Sequence, residues 1–559
     1  MSRMGAGMAA ALALRAAGVK EVFGLMGSGV LELYDAMYDF KDMRYIGVRH
    51  ENCGMHMADA YGRTLQSPGL FIAGQAGPGS ANMVLGLAQA KMAYSPVVVL
   101  TGLPSTEHLG RDSFQEIDQH TLFLPVTKRV LTVPRAERIP EMIHDAFRIA
   151  NSGRRGPVVV QIPRDLFNNE VDVDIPQSIT SRHNEGGVDA SVLRRVADLL
   201  KTARAPVIMA GAGIKWGQGT AALVRLAEKL KLPITASAGH GDIAPSEHPL
   251  FAGQVGPRGN PVASKLVREA DVVLAVGTRL GFNTTFYKYN DLSKDARIVQ
   301  VDIDPVAVGR YFPVEIGIVG DAGSFCAGLA ELVAAPSPLP WAGRNDAFRK
   351  ERDELLKARD SGGSRTSKPL HYQVIYKELR DAAPKNTLFT LDAGSACLQA
   401  TDELAYSESP SLITPLDCGM VGFSYAAGLG AKVARPDRTV ISLAGDGAFG
   451  MTLGEITTAV HCGINSIAVV LDNEAWGSEI AYQRDFFNGR YIGAHCISPR
   501  YDEVSKLCGG EGYYVTEKGE LADAIRQAMK VDKPVVIHAK VTVDDVISFR
   551  KDALKKKGA

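Results

Sequence analysis

Short runs of β-branched and other apolar residues alternate with helical patterns along the whole chain. Runs of this kind include PVVVLTG, PVVVQIP, APVIMAG, DVVLAVG, TVISLAGDG and SIAVVLDN. Most of these runs are apolar on both faces of a strand, so they need cover on both sides, as in a parallel sheet with helices above and below it. The sequence therefore predicts an α/β protein built from doubly wound parallel sheets.

The length and two irregular segments predict how many domains there are. A chain of 559 residues is too long for one hydrophobic core. Residues 168–191 and 335–346 are polar or rich in Pro and Gly, and we interpret both as linkers. Three doubly wound parallel-sheet domains follow, at 1–170, 188–335 and 365–550, and the central one is Rossmann-like. The first and third share a similar rhythm, which suggests a duplicated pair.

Charge, apolar runs and cysteines exclude several classes of protein. Lys and Arg total 62, and Asp and Glu also total 62, so no excess charge favours nucleic acid or an anionic membrane. The apolar N-terminus has a helical period and runs directly into a strand at 21–25, which argues against a signal peptide. No apolar run approaches the roughly 20 residues of a membrane span. Seven scattered cysteines without a CxxC pair fit free thiols, and we expect a cytoplasmic protein.

One Asp and one Asn follow two successive predicted strands. Gly445, Asp446 and Gly447 end the first strand, and Asn473 ends the next, 473 − 446 = 27 positions later. In a parallel β–α–β unit both strand ends lie at the same edge, so we expect the two side chains a few ångströms apart. The glycines and a following helix N-terminus suit a bulky anion, and oxygen ligands suit Mg²⁺ or Ca²⁺. Taken alone, Asp446–Gly447 is also a common turn signal.

The GDG turn, helix, strand and DN in this order resemble the signature of the thiamine-diphosphate-dependent enzymes, in particular the acetolactate synthase and pyruvate oxidase group. The resemblance implies thiamine diphosphate and Mg²⁺ as cofactors. It places Gly445, Gly447 and Ala448 at the diphosphate, and Asp446, Asn473 and the Ala475 carbonyl at the metal.

A second segment, YIGVRHENCGMHMADAYGR, resembles the family segment that activates the cofactor. The resemblance implies that Glu51 protonates N1′ of the aminopyrimidine, which turns the cofactor into a C2 carbanion for C–C or C–S bond chemistry. Such a carboxyl group should be buried and hydrogen-bonded. The alternative is an ordinary helix-starting Glu favoured by the helix dipole.

Further segments match the family in the expected order along nearly the whole chain. The resemblance implies that 1–170 is a pyrimidine-binding domain, 188–335 a central domain and 365–550 a diphosphate-binding domain. They imply a GPG turn beside the pyrimidine, two side chains facing the reactive carbon, a diphosphate-contacting turn, and a loop that bends the cofactor into a V shape. The residues concerned are Gly77 and Pro78, Phe114 and Gln115, Gly394 and Ser395, and Gly419 and Val421, respectively. The family also implies self-association as a dimer or a dimer of dimers, that is a homotetramer, with Glu51 of one subunit facing Asp446 of another.

The segment after Asn473, EAWGSEIAYQRDFFNGRYIG, and the tail DDVISFRKDAL resemble the sulfoacetaldehyde acetyltransferases within that family. This implies a transferase or lyase that eliminates sulfite and passes an acetyl group to phosphate. A small anionic carbonyl substrate, and phosphate, would suit arginine, and the candidates are Arg484, Arg490, Arg111 and Arg550. The segments GLMGSGVLELYDAM and RHENCGMHMADAYGR are less similar, so an acetolactate-synthase-like carboligase or a 2-oxoacid or 2-hydroxyacyl lyase is the alternative.

Other classes are disfavoured but stay open. The glycine-rich stretch at 211–219 lacks a GxGxxG fingerprint, which argues against an NAD-dependent oxidoreductase and leaves FAD as a disfavoured cofactor. A non-catalytic relative has no physical reason to keep Glu51, Asp446 and Asn473 together.

Overall fold

The computed structural model describes residues 2–179, 186–217 and 219–549. It contains three six-stranded sheets, and the strand pairings described within them are parallel. Helices flank each sheet, so the predicted α/β class is confirmed. Each sheet lies within one predicted domain range, while the limits 1–170, 188–335 and 365–550 themselves stay predictions.

The first sheet is formed near the N-terminus. Its strands, in order across the sheet, are Arg44–Gly47, Glu21–Leu25, Gly69–Ala73, Val97–Leu103, Val158–Pro163 and Arg129–Thr132. Its helices are Ala6–Ala16, Leu31–Met37, Glu51–Leu65, Pro78–Asn82, Val84–Met92, Gln119–Phe123 and Ile139–Asn151.

The middle sheet has the strand order of a dinucleotide-binding fold, 3-2-1-4-5-6. Its strands, in order across the sheet, are Phe251–Gln254, Ile234–Ala236, Pro206–Ala210, Val272–Val276, Arg297–Asp302 and Ile316–Val319. Its helices are Ala190–Lys201, Gly219–Leu230, Pro261–Arg268, Phe282–Thr285 and Ala322–Leu332, and the long helix Ala342–Gly362 follows.

The third sheet is formed near the C-terminus. Its strands, in order across the sheet, are Leu412–Ile413, Leu388–Leu391, Val440–Gly445, Ile467–Asp472, Val535–Lys540 and Glu511–Val515. The helices of this part of the sequence are Tyr372–Ala382, Ser395–Glu403, Ser424–Ala434, Asp446–Gly450, Glu455–His461, Gly477–Phe486, Tyr501–Leu507 and Glu520–Ala528.

The first and third sheets share one topology. Numbered along the chain, the strands of both run 2-1-3-4-6-5 across the sheet, which agrees with the similar rhythm seen in the sequence. In each sheet the chain leaves strands 1 and 3 toward opposite sides, which opens a crevice between their carboxyl ends. Ligands of open α/β sheets bind in such a crevice. The topology therefore points to one candidate half-site in each of these two sheets.

The chain separates into two compact units by its own contacts. The first unit combines the N-terminal region with two later segments, Ala426–Asp437 and Thr452–Ser466, and the second holds the middle region with the rest of the C-terminal region. The helix Glu455–His461 thus belongs to the first unit, although it connects two strands of the third sheet.

Continuous apolar strands explain why helices cover both faces of the sheets. In the middle sheet, Ile208 and Leu274 belong to one buried cluster, while Val207 and Val273, one position away, belong to another on the opposite face. Full burial of each such side chain contributes about 1.5–3 kcal/mol. The two-sided pattern in the sequence therefore predicts the layered architecture correctly.

The interpretation of 168–191 as a linker is wrong for its first part. Glu170–Val173 forms a strand that pairs antiparallel with Ser2–Gly5. Its E-V-D-V alternation fits a half-buried strand, but the partner lies at the other end of the domain sequence. The helix Ala342–Gly362 begins within the second proposed linker, 335–346, so only the first part of that range lies before the helix. Among the described residues, no helix combines the length and apolar character needed to cross a membrane.

Candidate functional site

The crevice of the third sheet is lined by the turns that follow its strands 1 and 3. Leu391 ends strand 1 beside Leu443 of strand 3, and Gly394 and Asp446 follow these strands. Strand 4 pairs with strand 3 in parallel, with Leu471 opposite Gly445, so Asn473 follows at the same edge as Asp446. This is the edge at which the sequence predicts the two side chains to lie.

Asp446 is a buried carboxylate that begins the short helix Asp446–Gly450. The Ser498 hydroxyl donates to Oδ2 of Asp446 at 3.1 Å, and the Cys496 thiol lies 3.7 Å from the same oxygen. Burial, followed by the nearby negative charge of Asp472, raises the pKa of Asp446 to about 6. Burial and Asp472 thus disfavour the ionised form of Asp446, and a bound cation would stabilise that form.

Asn473 and Ala475 follow the strand next to the one that precedes Asp446. They provide two neutral oxygen atoms, the Asn473 amide oxygen and the Ala475 carbonyl oxygen. The Asn473 amide donates to the Tyr372 hydroxyl at 2.8 Å, which fixes its orientation. Its Oδ1 accepts from the Ala475 N–H at 3.0 Å and keeps a second lone pair. One carboxylate, one amide oxygen and a backbone carbonyl form a donor set of the kind that Mg²⁺ takes, so the residues fit the metal.

A network of charged groups lies behind Asp446, and the sequence did not reveal it. Asp472 accepts hydrogen bonds from His538 Nε2 and Lys540 Nζ, each at 3.0 Å. Burial would raise the pKa of Asp472, but these hydrogen bonds outweigh it and hold the pKa well below the usual range. His538 Nδ1 accepts from the Tyr501 N–H at 3.0 Å, and the Tyr501 hydroxyl donates to the Asp446 carbonyl at 3.0 Å. Asp446 is therefore fixed from both its backbone and its side chain.

Glycines leave open space at the same edge. Gly394 and Gly419 have φ values of 109° and 74°, and a Cβ atom built on either one, or on Gly445, would meet no atom within 4 Å. Open space beside exposed backbone suits a bulky anion such as a diphosphate. Gly447 has a different constraint, since a Cβ there would lie 2.8 Å from the Trp476 ring. Ala448, next in the helix, is buried.

Asp392 supports the loop that carries Gly419 and Val421, a role that the sequence did not reveal. Its buried carboxylate accepts the N–H groups of Gly422, Phe423 and Ser424 at 3.0, 2.9 and 2.7 Å. The Asp of LDAGS at a strand end was the available signal. Val421, just before these residues, is half-buried, and its role in bending the cofactor into a V shape stays a prediction.

The segment near the C-terminus covers the turn that contains Ser395. The Ser395 hydroxyl donates to the Ile547 carbonyl at 2.9 Å and accepts the Ile547 N–H at 2.8 Å. Arg484 donates to the carbonyls of Asp544 and Val546 at 3.2 and 2.9 Å, and pairs with Asp485. The Arg484 guanidinium thus holds backbone in this structure, while its role as an anion clamp stays a prediction.

The second half-site belongs to the first sheet. Glu51 is the first residue of the helix Glu51–Leu65 and is 6% exposed. Asn82 donates its amide to Oε2 at 2.9 Å, and a Cβ built on Gly79 would lie 3.2 Å from Oε1. Glu51 is therefore buried and hydrogen-bonded, as the proposed role requires, and its carboxyl group lies against the helix that the GPG turn begins.

The GPG turn is fixed to the segment that contains Gln115. Gly77 has φ of 56°, and a Cβ there would lie 2.3 Å from the Gln115 carbonyl, so only glycine fits. Pro78 begins the helix Pro78–Asn82, and Gln119 accepts the Gly77 N–H at 2.8 Å. Gln115 itself accepts from the Gln75 amide at 2.5 Å.

Three predicted side chains of the substrate end are exposed. Phe114 is 87% exposed, and Arg111 and Arg490 also lie at the surface of their units. Arg550 lies outside the described residues. Their predicted roles, like those of the other site residues, stay predictions.

Comparisons with known proteins agree with this geometry. Three family models match: the N-terminal TPP binding domain, the central domain and the C-terminal TPP binding domain of thiamine pyrophosphate enzymes, at residues 4–122, 193–329 and 392–539. Sulfoacetaldehyde acetyltransferase of Alcaligenes xylosoxydans xylosoxydans is 35% identical over 96% of this chain and 93% of its own length. A probable acetolactate synthase large subunit of Methanocaldococcus jannaschii is 32% identical over 94% and 90%. Acetolactate synthase isozyme 2 large subunit of Escherichia coli is 30% identical over 96% and 94%.

Proposed function

The chain belongs to the thiamine pyrophosphate enzymes, and from this premise we propose that it eliminates sulfite from sulfoacetaldehyde and transfers the acetyl group to phosphate. The observation that carries the proposal is the 35% identity to a sulfoacetaldehyde acetyltransferase over 96% of the chain. A second enzyme of that name, from Castellaniella defragrans, is 33% identical over the same share.

The residues of the third sheet would hold the cofactor's diphosphate. Asp446, Asn473 and the Ala475 carbonyl provide oxygen ligands for Mg²⁺, whose charge would offset the repulsion between the Asp446 carboxylate and a diphosphate. The open space at Gly394, Gly419 and Gly445 admits the anion close to the backbone. When bound, thiamine diphosphate supplies an acidic carbon whose anion attacks a carbonyl group and stabilises the resulting charge.

Glu51 would hold a proton at the pyrimidine. Its carboxyl group is buried, which excludes water, and Asn82 and the helix N-terminus fix its position. A carboxyl group fixed in this way can keep a proton on N1′, which would favour the imino form of the pyrimidine with a basic 4′-nitrogen. Gly419 has an exposed backbone in the left-handed region, which supports its carbonyl as the acceptor for that amino group.

The substrate and phosphate are small anions, and exposed arginines support their binding. Arg111 lies three residues before Phe114, and Arg490 follows the helix Gly477–Phe486. One guanidinium group can donate two parallel hydrogen bonds to two oxygens of a sulfonate or phosphate, which the ammonium group of lysine does less well. FAD is not part of the proposed reaction.

An acetolactate-synthase-like carboligase is the second candidate. The identities of 32% and 30% to acetolactate synthase large subunits favour it, because they are close to those of the acetyltransferases. The two functions would share the cofactor half-sites and differ in their substrates, which are sulfoacetaldehyde and phosphate for the acetyltransferase and two molecules of pyruvate for the carboligase.

One experiment separates the two candidates. The purified protein with thiamine diphosphate and Mg²⁺ is given sulfoacetaldehyde and phosphate, and sulfite and acetyl phosphate are measured. A parallel sample receives pyruvate, and acetolactate and CO₂ are measured. We expect sulfite and acetyl phosphate in equal amounts, and about 1,000-fold slower formation of both with Glu51→Gln. Acetolactate from pyruvate, without sulfite release in the first sample, would reject the acetyltransferase in favour of the carboligase.

The proposal includes self-association and a cytoplasmic location. Both half-sites must meet one cofactor, and in the proposed assembly Glu51 of one subunit and Asp446 of another do so. A species of at least twice 59.8 kDa in sedimentation supports this, and a fully active monomer would contradict it. The seven unpaired cysteines support a reducing compartment.

A further inference from the structure

Glu455 is a buried carboxylate that contacts the backbone just before Glu51. Its Oε1 accepts the N–H groups of Arg49 and His50 at 3.0 and 3.1 Å. Its Oε2 accepts the Thr458 hydroxyl at 2.7 Å. Glu455 is 1% exposed, and burial raises its pKa. All of these groups lie within the first unit.

The helix of Glu455 contacts this region at several further points. The Arg49 guanidinium donates to Thr457 Oγ1 at 3.1 Å, and the Thr458 hydroxyl reaches the Gly47 carbonyl at 3.4 Å. Arg44, in the strand before, donates to the Cys462 carbonyl. We call Glu455, Thr457, Thr458 and Cys462 the Glu455 contact set. It fixes the chain from Arg44 to His50, the segment that leads into the Glu51 helix.

The direction of this backbone decides where the Glu51 carboxyl group lies. His50 is the N-cap residue, with its ring accepting the Asn52 N–H at 3.1 Å, and Glu51 is the first helical residue. The side chain of a first helical residue has no earlier helical turn to pack against, so its direction follows from the backbone at the cap. A shift of about 1 Å in a catalytic group can cost about 100-fold in rate.

The named donors to Glu455 are two backbone N–H groups and one hydroxyl, all neutral. A neutral amide oxygen can accept the two N–H bonds in the same way, and its NH₂ can donate to the Thr458 oxygen. A shorter carboxylate cannot reach. Glutamine at this position keeps the length of the side chain but removes the negative charge, whereas aspartate keeps the charge but shortens the side chain. The two variants therefore distinguish the effect of the hydrogen bonds from that of the charge.

We propose that Glu455 is a positioning residue, which fixes the direction of Glu51 by accepting the N–H groups of Arg49 and His50. The inference rests on the proposed role of Glu51 in activating the cofactor. It adds a second function to the helix that follows the metal-binding turn, since Glu455 comes nine positions after Asp446 in the sequence.

Two measurements on the full-length protein test the proposal. Amide hydrogen exchange of the Arg49 and His50 N–H groups is measured without cofactor. Exchange of the cofactor's C2 proton with D₂O is measured with thiamine diphosphate and Mg²⁺ bound and no substrate present. The variants are Glu455→Gln, Glu455→Asp and Glu455→Ala, with Glu503→Ala as a matched control because Glu503 is an exposed helical carboxylate.

We expect Glu455→Gln and Glu503→Ala to stay within about threefold of the unsubstituted protein in both measurements. Glu455→Asp and Glu455→Ala should lose protection at Arg49 and His50 and slow C2 exchange at least about tenfold, with diphosphate affinity little changed. Equal C2 exchange in all variants would overturn the positioning role, and so would a Gln variant as slow as Asp. If Glu455→Ala does not fold, the comparison of Glu455→Gln with Glu455→Asp still tests the positioning role. Absence of accelerated C2 exchange in the unsubstituted protein would instead reject the proposed function.

Discussion

Glu51 and Asp446 are both buried carboxylates at the carboxyl edge of a parallel sheet, yet their surroundings differ. Glu51 is held by the Asn82 amide and lies against Gly79, in contacts that carry no charge. Asp446 lies near Asp472, which in turn pairs with His538 and Lys540. Two sheets of the same topology thus place one carboxylate among neutral contacts, which we call the neutral half of the proposed site, and the other near charged groups, which we call the charged half.

The difference corresponds to what each half would have to do. A carboxyl group that must share a proton with a base is best placed away from cations, because a nearby cation favours the ionised form. A carboxylate that must hold Mg²⁺ is best placed where negative charge accumulates, because the metal then relieves the repulsion. In the proposed site, a few side chains beyond the strand ends would thus decide whether the carboxyl group of such a sheet shares a proton or binds a metal.

The largest effect is expected from Glu51→Gln. The amide can still accept from Asn82, but it cannot deliver a proton to the pyrimidine, so turnover should fall about 1,000-fold. Binding of thiamine diphosphate and Mg²⁺, measured by calorimetry, should change less than about threefold. Turnover close to that of the unsubstituted protein would show that the neutral half does not activate the cofactor.

In the charged half, Asp446→Asn should weaken metal binding, whereas Glu51→Gln should leave binding nearly unchanged. Removal of the carboxylate charge should weaken Mg²⁺ binding about 100-fold, measured by titration in the presence of thiamine diphosphate. Asp437→Asn is the matched control, because Asp437 is an exposed carboxylate outside the site. Equal affinity in the two variants would place the metal elsewhere.

His56 extends the neutral character of the first half and should make it sensitive to acid. It is fully buried on the Glu51 helix, and burial, then the charges of Arg63 and His50, lower its pKa to about 3. Because the folded pKa is lowered, the stability contribution is present above the unfolded value near 6.5 and is lost as pH falls toward 3. Between pH 8 and pH 5 the free energy of unfolding should fall by about 2 kcal/mol from this group.

Urea unfolding at the two pH values checks this, with His56→Gln compared against His495→Gln, which alters an exposed histidine. The His56 variant should show a shallower pH dependence by about the stated amount. Identical pH dependence in both variants would mean that His56 is not the acid-sensitive group.

The smallest effect is expected from Asp392→Asn in the charged half. The new NH₂ would oppose the N–H groups of Phe423 and Ser424, or of Gly422 if the amide is flipped. The loop of Gly419 and Val421 should loosen, and thiamine diphosphate affinity should fall about tenfold, with Mg²⁺ affinity less affected. Asp381→Asn, at an exposed helical position, serves as the control. Unchanged cofactor affinity would mean that this loop does not contact the cofactor.

The architecture and the strand ends could be predicted because they depend on local patterns. Two-sided apolar runs identified the central strands. A parallel sheet brings successive strand ends to one edge, which placed Asp446 and Asn473 just after the ends of neighbouring strands. The pairing of Ser2–Gly5 with Glu170–Val173 was missed because each strand is short and gains its partner only in the folded domain.

The supporting residues could not be predicted because their partners are distant in sequence. Asp392 accepts N–H groups about 30 positions later, and Glu455 accepts N–H groups more than 400 positions earlier. Ser498 and the His538–Asp472 pair reach the Asp446 region in the same way. A single Asp, Glu or His in a sequence carries no signal of such contacts, whereas a glycine turn at a strand end does.

The most direct test is a crystal structure of the protein grown with thiamine diphosphate and Mg²⁺. We expect the metal within about 2.1 Å of oxygens from Asp446, Asn473 and Ala475 and of the diphosphate. In the same structure the carboxyl group of Glu51 from a neighbouring subunit should lie within hydrogen-bonding distance of the pyrimidine N1′. A diphosphate bound away from Asp446, or a pyrimidine with no contact to Glu51, would contradict the account.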